Sequence, residues 1–390
     1  MRAYSYLKSA TQIINEYNGE EPLSSFLKKY FGSNKKYGAR DRKQVSHLCY
    51  CYFRLGKGLP DISREERILT GLFLCSDKPN DILEVLKPEW NKTVNSSLRE
   101  KLSIINYSLL IGDVFPWKKE LSEEIEFEKF GESFFIQPDL FIRLRPGYET
   151  DVKTKLFNGG VRFSEITSTC LSLTNASKVE SVIELDKEAV VQDLNSQQTE
   201  NFLRDFEQGT AVFKPKVWDC CAASGGKSLM FYDLDRDIEV TVSDIRESIL
   251  VNLKKRFAKA GLKKYNSFVI DLTRDVGGNL PANFDLILCD APCTGSGTWS
   301  RTPEQLYFFN ENRIEQYSLL QKKIVSNIIP QLKKDGFFLY ITCSVFKKEN
   351  EEMAEFIQSN FRLELIGKQL LTGYDKKADT MFAALFKKIS

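Results

Sequence analysis

Residues 216–228 read KVWDCCAASGGKS: an apolar run closing on an acid and two cysteines, then small residues, then a tail able to open a helix. Small residues let a ligand approach the backbone closely, and the free N–H groups of a helix start can bind polar groups. Further along come the strand-like runs IEVTVSD (238–244), SFVID (267–271), FDLILCD (284–290) and GFFLYITCS (336–344). They alternate with helical segments such as RESILVNLKKRFAKAG (246–261) and a long run from about Glu304 to Leu332. Alternating strands and helices over some 180 residues, with near-continuously apolar strands, predict an α/β unit with a doubly wound sheet buried on both faces. Ligands of such sheets bind outside the carboxyl ends of the strands.

The preceding chain has two other textures. The first sixty residues carry eleven Lys or Arg against four Asp or Glu, and their apolar residues recur at helical spacing. Helices are expected over Arg2 to Tyr17, Pro22 to Tyr30, Ala39 to Leu55 and Arg64 to Cys75, the last capped by Ser63. Residues 76–130 are polar and broken by Pro79, Pro88 and Pro116, with one further helix expected over Ser96 to Leu110. From about Phe134 the runs LFIRLR, SVIEL and AVVQDL, with the helical DVKTKLFN between the first two, predict a small α+β subdomain. The boundaries so drawn are 1–130, 131–208 and 209–390, consistent with a chain of 390 residues forming two or three units.

Composition narrows the chemistry. The net charge is +2, which excludes a histone-like polycation but leaves room for a local basic patch. Nine cysteines lack the density and spacing of a secreted disulfide framework, and no stretch approaches 18 consecutive apolar residues, so a reducing, cytoplasmic location without a membrane is expected. The only histidine, His47, lies among apolar residues and is read as a packing residue. Catalysis through a Ser-His-Asp triad or a His-rich zinc site is therefore excluded, and no metal site is expected. Chemistry must come from Cys, Asp, Lys or a cofactor.

The strand ends supply those groups. GGKS invites a phosphate-loop reading, but that motif needs glycine where this chain has Cys221. Nineteen residues beyond Gly225, Asp244 ends the second strand, at the spacing where an acid receives ribose hydroxyls, and Asp271 follows at the end of the third. Together they favour an adenosyl cofactor. The fourth strand delivers Asp290-Ala291-Pro292-Cys293-Thr294-Gly295-Ser296-Gly297 and the fifth Thr342-Cys343-Ser344. Cys293 and Cys343, at neighbouring strand ends, are candidate nucleophiles. Cys220, Cys221 and Cys289 are read, as regards catalysis, as small buried hydrophobes.

The segments CAASGGKS, DAPCTGSG followed by Arg301 and Pro303, and YITCSVFKKEN resemble the signature motifs of the Fmu/Sun family of RNA cytosine-5 methyltransferases, over about residues 190–390. The resemblance implies a seven-stranded class I methyltransferase domain that holds S-adenosylmethionine through Cys221, Ala222, Ala223, Ser224, Gly225, Gly226, Lys227, Asp244, Asp271 and Asp290. It makes Cys343 the nucleophile and Cys293 the residue that helps release product. It also likens residues 131–208 to a ferredoxin-like subdomain, and the basic N-terminal segment, YGARDRKQVSHLCYCYFRLGKG above all, to the NusB-like domain of members acting on small-subunit ribosomal RNA. Ser224, where the family has proline, and Thr380-Met381, where it has glycine-phenylalanine, depart from the pattern.

In the implied reaction the Cys343 thiolate adds to carbon 6 of cytosine and makes carbon 5 nucleophilic, with Asp290 supplying a proton or hydrogen bond to ring nitrogen 3. Cys293 then removes the proton from carbon 5 so that Cys343 can leave. The expected protein is thus a monomeric RNA methyltransferase with a ribosomal RNA partner. A transfer RNA, DNA or protein substrate, or a non-catalytic ribosome-assembly factor on the same fold, are the alternatives.

Overall fold

The computed structural model describes residues 2–105, 107–209, 214–274 and 280–389, apart from the side chains of 205 and 207–209. By contacts the chain divides into two compact units, one of Met1–Leu121, Ile125–Gln137 and Thr298–Glu311, the other of Ser122–Glu124, Pro138–Gly297 and Asn312–Ser390.

The first unit is helical. Helices run over Arg2–Glu16, Leu23–Ser33, Ala39–Arg54 and Arg64–Cys75, close to the sequence expectation. Arg2–Glu16 buries Ala3, Leu7, Ala10, Ile13 and Ile14, one stripe at three- and four-residue spacing. Ser63 caps the fourth helix by accepting the Glu66 N–H at 3.2 Å. Two expected helices are shorter than the sequence reading. The one expected over Ser96–Leu110 spans only Leu98–Ile104, since Ile105 is extended, and a separate turn, Ile111–Val114, starts where the Leu110 N–H donates to the Asp113 carboxylate at 2.8 Å. The run from Glu304 to Leu332 is two helices, Pro303–Phe308 and Asn312–Ile328. Between them Phe309 is extended, its ring centroid 4.8 Å from that of Trp117 and 4.6 Å from that of Trp299.

The second unit holds two sheets. The smaller has β1 (Leu140–Leu144), β2 (Phe163–Thr167), β3 (Cys170–Leu173) and β4 (Ala189–Val191), antiparallel in the order β2-β3-β1-β4. SVIEL, expected as a strand, is not one: Val179–Ser181 forms a single 3-10 turn and Leu185 makes an isolated bridge to Ala189. The central strand β3 escaped the sequence reading because Ser172 interrupts its apolar run; that hydroxyl donates to Asp139 at 2.8 Å.

The larger sheet contains β5 (Lys216–Asp219), β6 (Glu239–Asp244), β7 (Tyr265–Val269), β8 (Phe284–Asp290), β9 (Leu332–Thr342), β10 (Leu363–Leu371) and β11 (Met381–Lys388). Their order is β10-β11-β9-β8-β5-β6-β7, with β5 to β9 parallel to one another and β11 antiparallel to both of its neighbours, β9 and β10. This is the doubly wound, seven-stranded class I methyltransferase architecture that was expected. Val217, Leu286, Leu288, Leu339, Ile341 and Leu385 pack against Phe202, Leu203, Phe206, Met230 and Phe231. The strand order reverses between β5 and β8, so the loops after these two strands diverge and leave a crevice at their carboxyl ends. Among the described residues no helix is long and apolar enough to cross a membrane.

Asp233, on the helix Gly226–Leu234, ties the two sheets together. It receives Arg143 at 2.8 Å and Arg145 at 2.7 Å, all three side chains being almost fully buried. Removing the acid would leave two guanidinium groups buried beside each other. Asp233→Ala should therefore cost about 3–5 kcal/mol of stability in urea denaturation; a loss under about 1 kcal/mol would match an exposed ion pair instead.

Candidate active site

The turn after β5 is fixed by its own backbone. The Ala222 N–H donates to the Ser243 carbonyl at 2.9 Å and the Gly225 N–H to the Ala222 carbonyl at 2.8 Å, joining the loop to β6 and closing it on itself. Gly225 sits at φ +79°, and a Cβ there would lie 2.5 Å from the Phe257 ring, so glycine is required by conformation and by space. Ser224, the departure from the family pattern, is used: its hydroxyl accepts from Arg256 at 3.0 Å, and Arg256 also pairs with Asp186 at 2.6 Å.

Below the loop, Ser228 donates to Asp219 Oδ2 at 2.5 Å, while the buried Asp219 Oδ1 has no hydrogen-bond partner among the described residues. Burial pushes the Asp219 carboxyl up to about 7. Lys227 Nζ lies 2.6 Å from Asp290 Oδ2. Burial opposes the lysine's charge, but the Asp290 and Cys343 charges outweigh that penalty and raise its pKa.

Asp244 stands at the end of β6 as expected. Its Oδ2 accepts the Ala223 N–H at 3.0 Å and its Oδ1 the Arg246 N–H at 2.9 Å. The mostly exposed Arg246 side chain adds one contact to each oxygen, Nε to Oδ1 at 3.1 Å and Nη2 to Oδ2 at 3.4 Å. Swinging it into solvent would free one acceptor position on each oxygen, which suits two vicinal hydroxyls. β7 ends at Val269, two residues before Asp271. Asp271 Oδ1 accepts the Thr273 N–H at 3.0 Å and hydroxyl at 2.6 Å, which with Arg274 lowers its carboxyl pKa.

These groups face two adjoining cavities. One, of about 470 Å³, is lined by Asp244, Arg246, Asp271, Asp290, Cys293 and Cys343. The second, of about 260 Å³, is lined by Asp193, Ser224, Lys227 and Asp379. Cys221, Ala223, Asp290 and Cys343 belong to both walls. The expected site residues on β5, β6, β8 and β9 are thus brought together, whereas His47 lies in the helical unit, 3.7 Å from Cys51 Sγ.

Cys293 and Cys343 are half-buried thiols. Burial pushes both pKa values up, Glu349 and Asp290 adding to the effect at Cys293 and Asp290 and Cys293 at Cys343. Lys227 acts in the opposite sense on Cys343.

Sequence reasoning passed over the groups that hold these thiols in place. Glu349, fully buried, accepts the Thr294 N–H at 2.9 Å, the Gln321 amide at 3.1 Å, and the hydroxyls of Thr294 and Ser344. One carboxylate thereby grips the residue after each cysteine. Asn350 does the same for the β9 end, accepting from the Thr342 hydroxyl at 2.6 Å and donating to the Ser344 carbonyl at 2.9 Å. The signal was present in YITCSVFKKEN, whose last two residues are this pair. A Cβ on Gly297 would lie 1.9 Å from the Thr380 carbonyl, so glycine alone lets these segments close. At the second departure from the family pattern, the Thr380 hydroxyl accepts the Gly373 N–H at 3.1 Å.

Residues 212–384 match the family described as 16S rRNA methyltransferase RsmB/F, which bears out the Fmu/Sun resemblance. Ribosomal RNA small subunit methyltransferase B of Photorhabdus laumondii is 32% identical over 184 residues, 45% of this chain and 40% of that protein. The chain thus spans less than half the length of this curated relative. Among solved structures, PH0851 aligns over 98% of both chains at a TM-score of 0.71 and 18% identity. NSun6 from Pyrococcus horikoshii, solved with SFG, aligns over 70% of this chain and 97% of its own at 0.58 and 16%. Both likenesses are of fold.

Glu349→Ala would leave the buried Thr294 N–H without its acceptor, while the Gln321 amide keeps Pro292 and the Thr294 and Ser344 hydroxyls keep Ser296 as partners. At about 1–3 kcal/mol for a donor left unsatisfied, the variant should lose about that much in urea unfolding. A change within about 0.5 kcal/mol would show that the carboxylate does not hold the two loops.

Proposed function

We propose, from the match of residues 212–384 to the RsmB/F methyltransferase family, that the protein transfers a methyl group from S-adenosylmethionine to carbon 5 of a cytosine in ribosomal RNA through a covalent Cys343 adduct. The observation that carries this reading is that Cys293 and Cys343, from adjacent parallel strands, line one cavity with Asp244, Asp271 and Asp290. The name of the curated relative supports ribosomal RNA, and the basic N-terminal helices, proposed as a NusB-like domain, offer charge for phosphate contacts.

The cavity fits the cofactor by the chemistry of its donors. Asp244 would take the ribose hydroxyls once the Arg246 side chain swings out, and Asp271 would border the adenine end. The loop Cys221 to Lys227 would lie along the amino-acid portion. When bound, S-adenosylmethionine supplies an electrophilic methyl group on a positively charged sulfur.

The chain's own residues divide the remaining work. Cys343 Sγ, held toward the thiol form by its burial, must give its proton to water before bonding to carbon 6, and the Lys227 ammonium favours the thiolate. Asp290, joined to Lys227, faces ring nitrogen 3, so the proton needed there enters through this pair. Cys293, after giving its own proton to water, takes as thiolate the proton from carbon 5 once that carbon carries its methyl group; the carbon 6–Sγ bond then breaks, Cys343 leaves as thiolate and the nitrogen 3 proton returns to Asp290. Attack above the ring requires an unstacked base, so a single-stranded, bulged or flipped nucleotide is the substrate.

Cofactor binding tests the Asp244 assignment. Arg246→Ala should leave the dissociation constant unchanged or lower it by up to about fivefold, the worth of an exposed ion pair. Asp244→Ala should raise it at least about tenfold, since hydrogen bonds to a charged group contribute about 1.5–3 kcal/mol each. Titration calorimetry reads both, and a weaker Arg246→Ala variant would mean that Arg246 contacts the cofactor itself.

The reaction is tested with radiolabelled S-adenosylmethionine and ribosomal RNA lacking its modification, as free RNA and as immature particles, followed by digestion to nucleosides. Label should appear in 5-methylcytidine. Cys343→Ala should give none, and Cys293→Ala should accumulate a protein–RNA adduct that survives denaturing electrophoresis. The reverse pattern would exchange the two roles. Label only in transfer RNA would move the substrate, and cofactor binding without label on any RNA would favour the assembly-factor alternative.

A further inference from the structure

Three of the nine cysteines, those read from the sequence as plain buried hydrophobes, are grouped. The Sγ atoms of Cys220, Cys221 and Cys289 all lie within 4.8 Å of one another. The fold explains the grouping. Side chains alternate along an extended strand, but β5 ends at Asp219 and the chain turns at once, so the Cys220 and Cys221 sulfurs come to 4.0 Å. Pairing of Asp219 with Leu288, continued by the Cys220 N–H to the Leu288 carbonyl at 3.0 Å, brings Cys289 of β8 alongside. Cys220 and Cys289 are buried, while Cys220 and Cys221 both border the 470 Å³ cavity, so an ion could enter from that side.

We infer that Cys220, Cys221 and Cys289 form a three-sulfur site for one thiophilic d10 cation, with copper(I) as the ion it suits. An ion midway between three sulfurs 4.8 Å apart would lie about 2.8 Å from each, so inward rotation of each thiol by about half an ångström reaches a metal–sulfur bond of about 2.3 Å. Thiolates select soft ions, and a three-coordinate sulfur set suits copper(I) better than zinc, whose structural sites are four-coordinate. Each thiol that ligates gives its proton to water, and no electron is transferred. The inference stands whether or not the protein methylates RNA, because it rests on the sulfur positions alone.

The full chain, reduced and kept free of oxygen, is titrated against the copper(I)–bicinchoninate complex. It should withdraw one equivalent, and Cys220→Ala and Cys289→Ala should each weaken that uptake at least tenfold. Cys75→Ala, in the helical unit, should leave it unchanged. X-ray absorption of the wild-type copper complex should show three sulfur neighbours, a reading that does not depend on either variant folding. Undiminished uptake in folded Cys289→Ala, a first shell with fewer than three sulfurs, or uptake of zinc(II) without uptake of copper(I) overturns the assignment.

Discussion

The thiols of Cys293 and Cys343 line one cavity on loops that the Glu349 carboxylate binds to one another. Cys293 and Cys343 lie just past the ends of β8 and β9, where the strands' own hydrogen bonds no longer constrain the chain. Strand-end loops usually face solvent and diverge. Here a single buried acid accepts from Thr294 and Ser344, each one residue beyond a cysteine. Burial pushes its pKa up, and the hydrogen bonds from Ser344, Thr294 and Gln321 oppose that shift by favouring the charged form. The acid is therefore held as a hub of converging donors. The Asn350 amide beside it secures Thr342 and Ser344, so the β9 end is fixed from both sides.

The doubly wound sheet sets the rest of the geometry. Reversal of strand order between β5 and β8 places the small-residue loop and Asp290 across a crevice, and Lys227 bridges it by reaching Asp290. That ion pair is also the source of positive charge acting on Cys343. Burial pushes both thiol pKa values up, and Lys227 opposes that shift at Cys343.

The parallel core was readable because its strands are near-continuous apolar runs ending in acids or cysteines, and both features follow from burial on two faces with a ligand at the rim. Asp244, Asp290, Cys293 and Cys343 were legible for the same reason. The small antiparallel sheet was harder. β3 is interrupted by a serine whose hydroxyl is satisfied by Asp139, and SVIEL has strand composition yet follows a single 3-10 turn. The break after Phe308 was hidden because its cause, the packing of Phe309 between Trp117 and Trp299, is tertiary. Glu349 and Arg246 escaped for a related reason: a charged residue in a polar stretch reads as a solvated surface until the fold shows what it faces.

Cysteine shows most clearly that environment, not residue type, assigns the role. Cys49 is a buried thiol in the helical unit, 4.0 Å from the Ala10 carbonyl, and its position explains packing alone. Cys343 is pushed toward the protonated form by burial and pulled back by Lys227. Cys289 moves the other way, to about 6, because Cys220 and Cys221 can both donate to it. Within a single fold one residue type thus meets surroundings that shift its titration in opposite directions. The difference is set by which strand ends first, since the turn after β5 brings two sulfurs to one side whereas the ends of β8 and β9 deliver one each. Strand length, fixed by where the apolar runs stop, is in this way the lowest level at which the chemistry of the rim is specified.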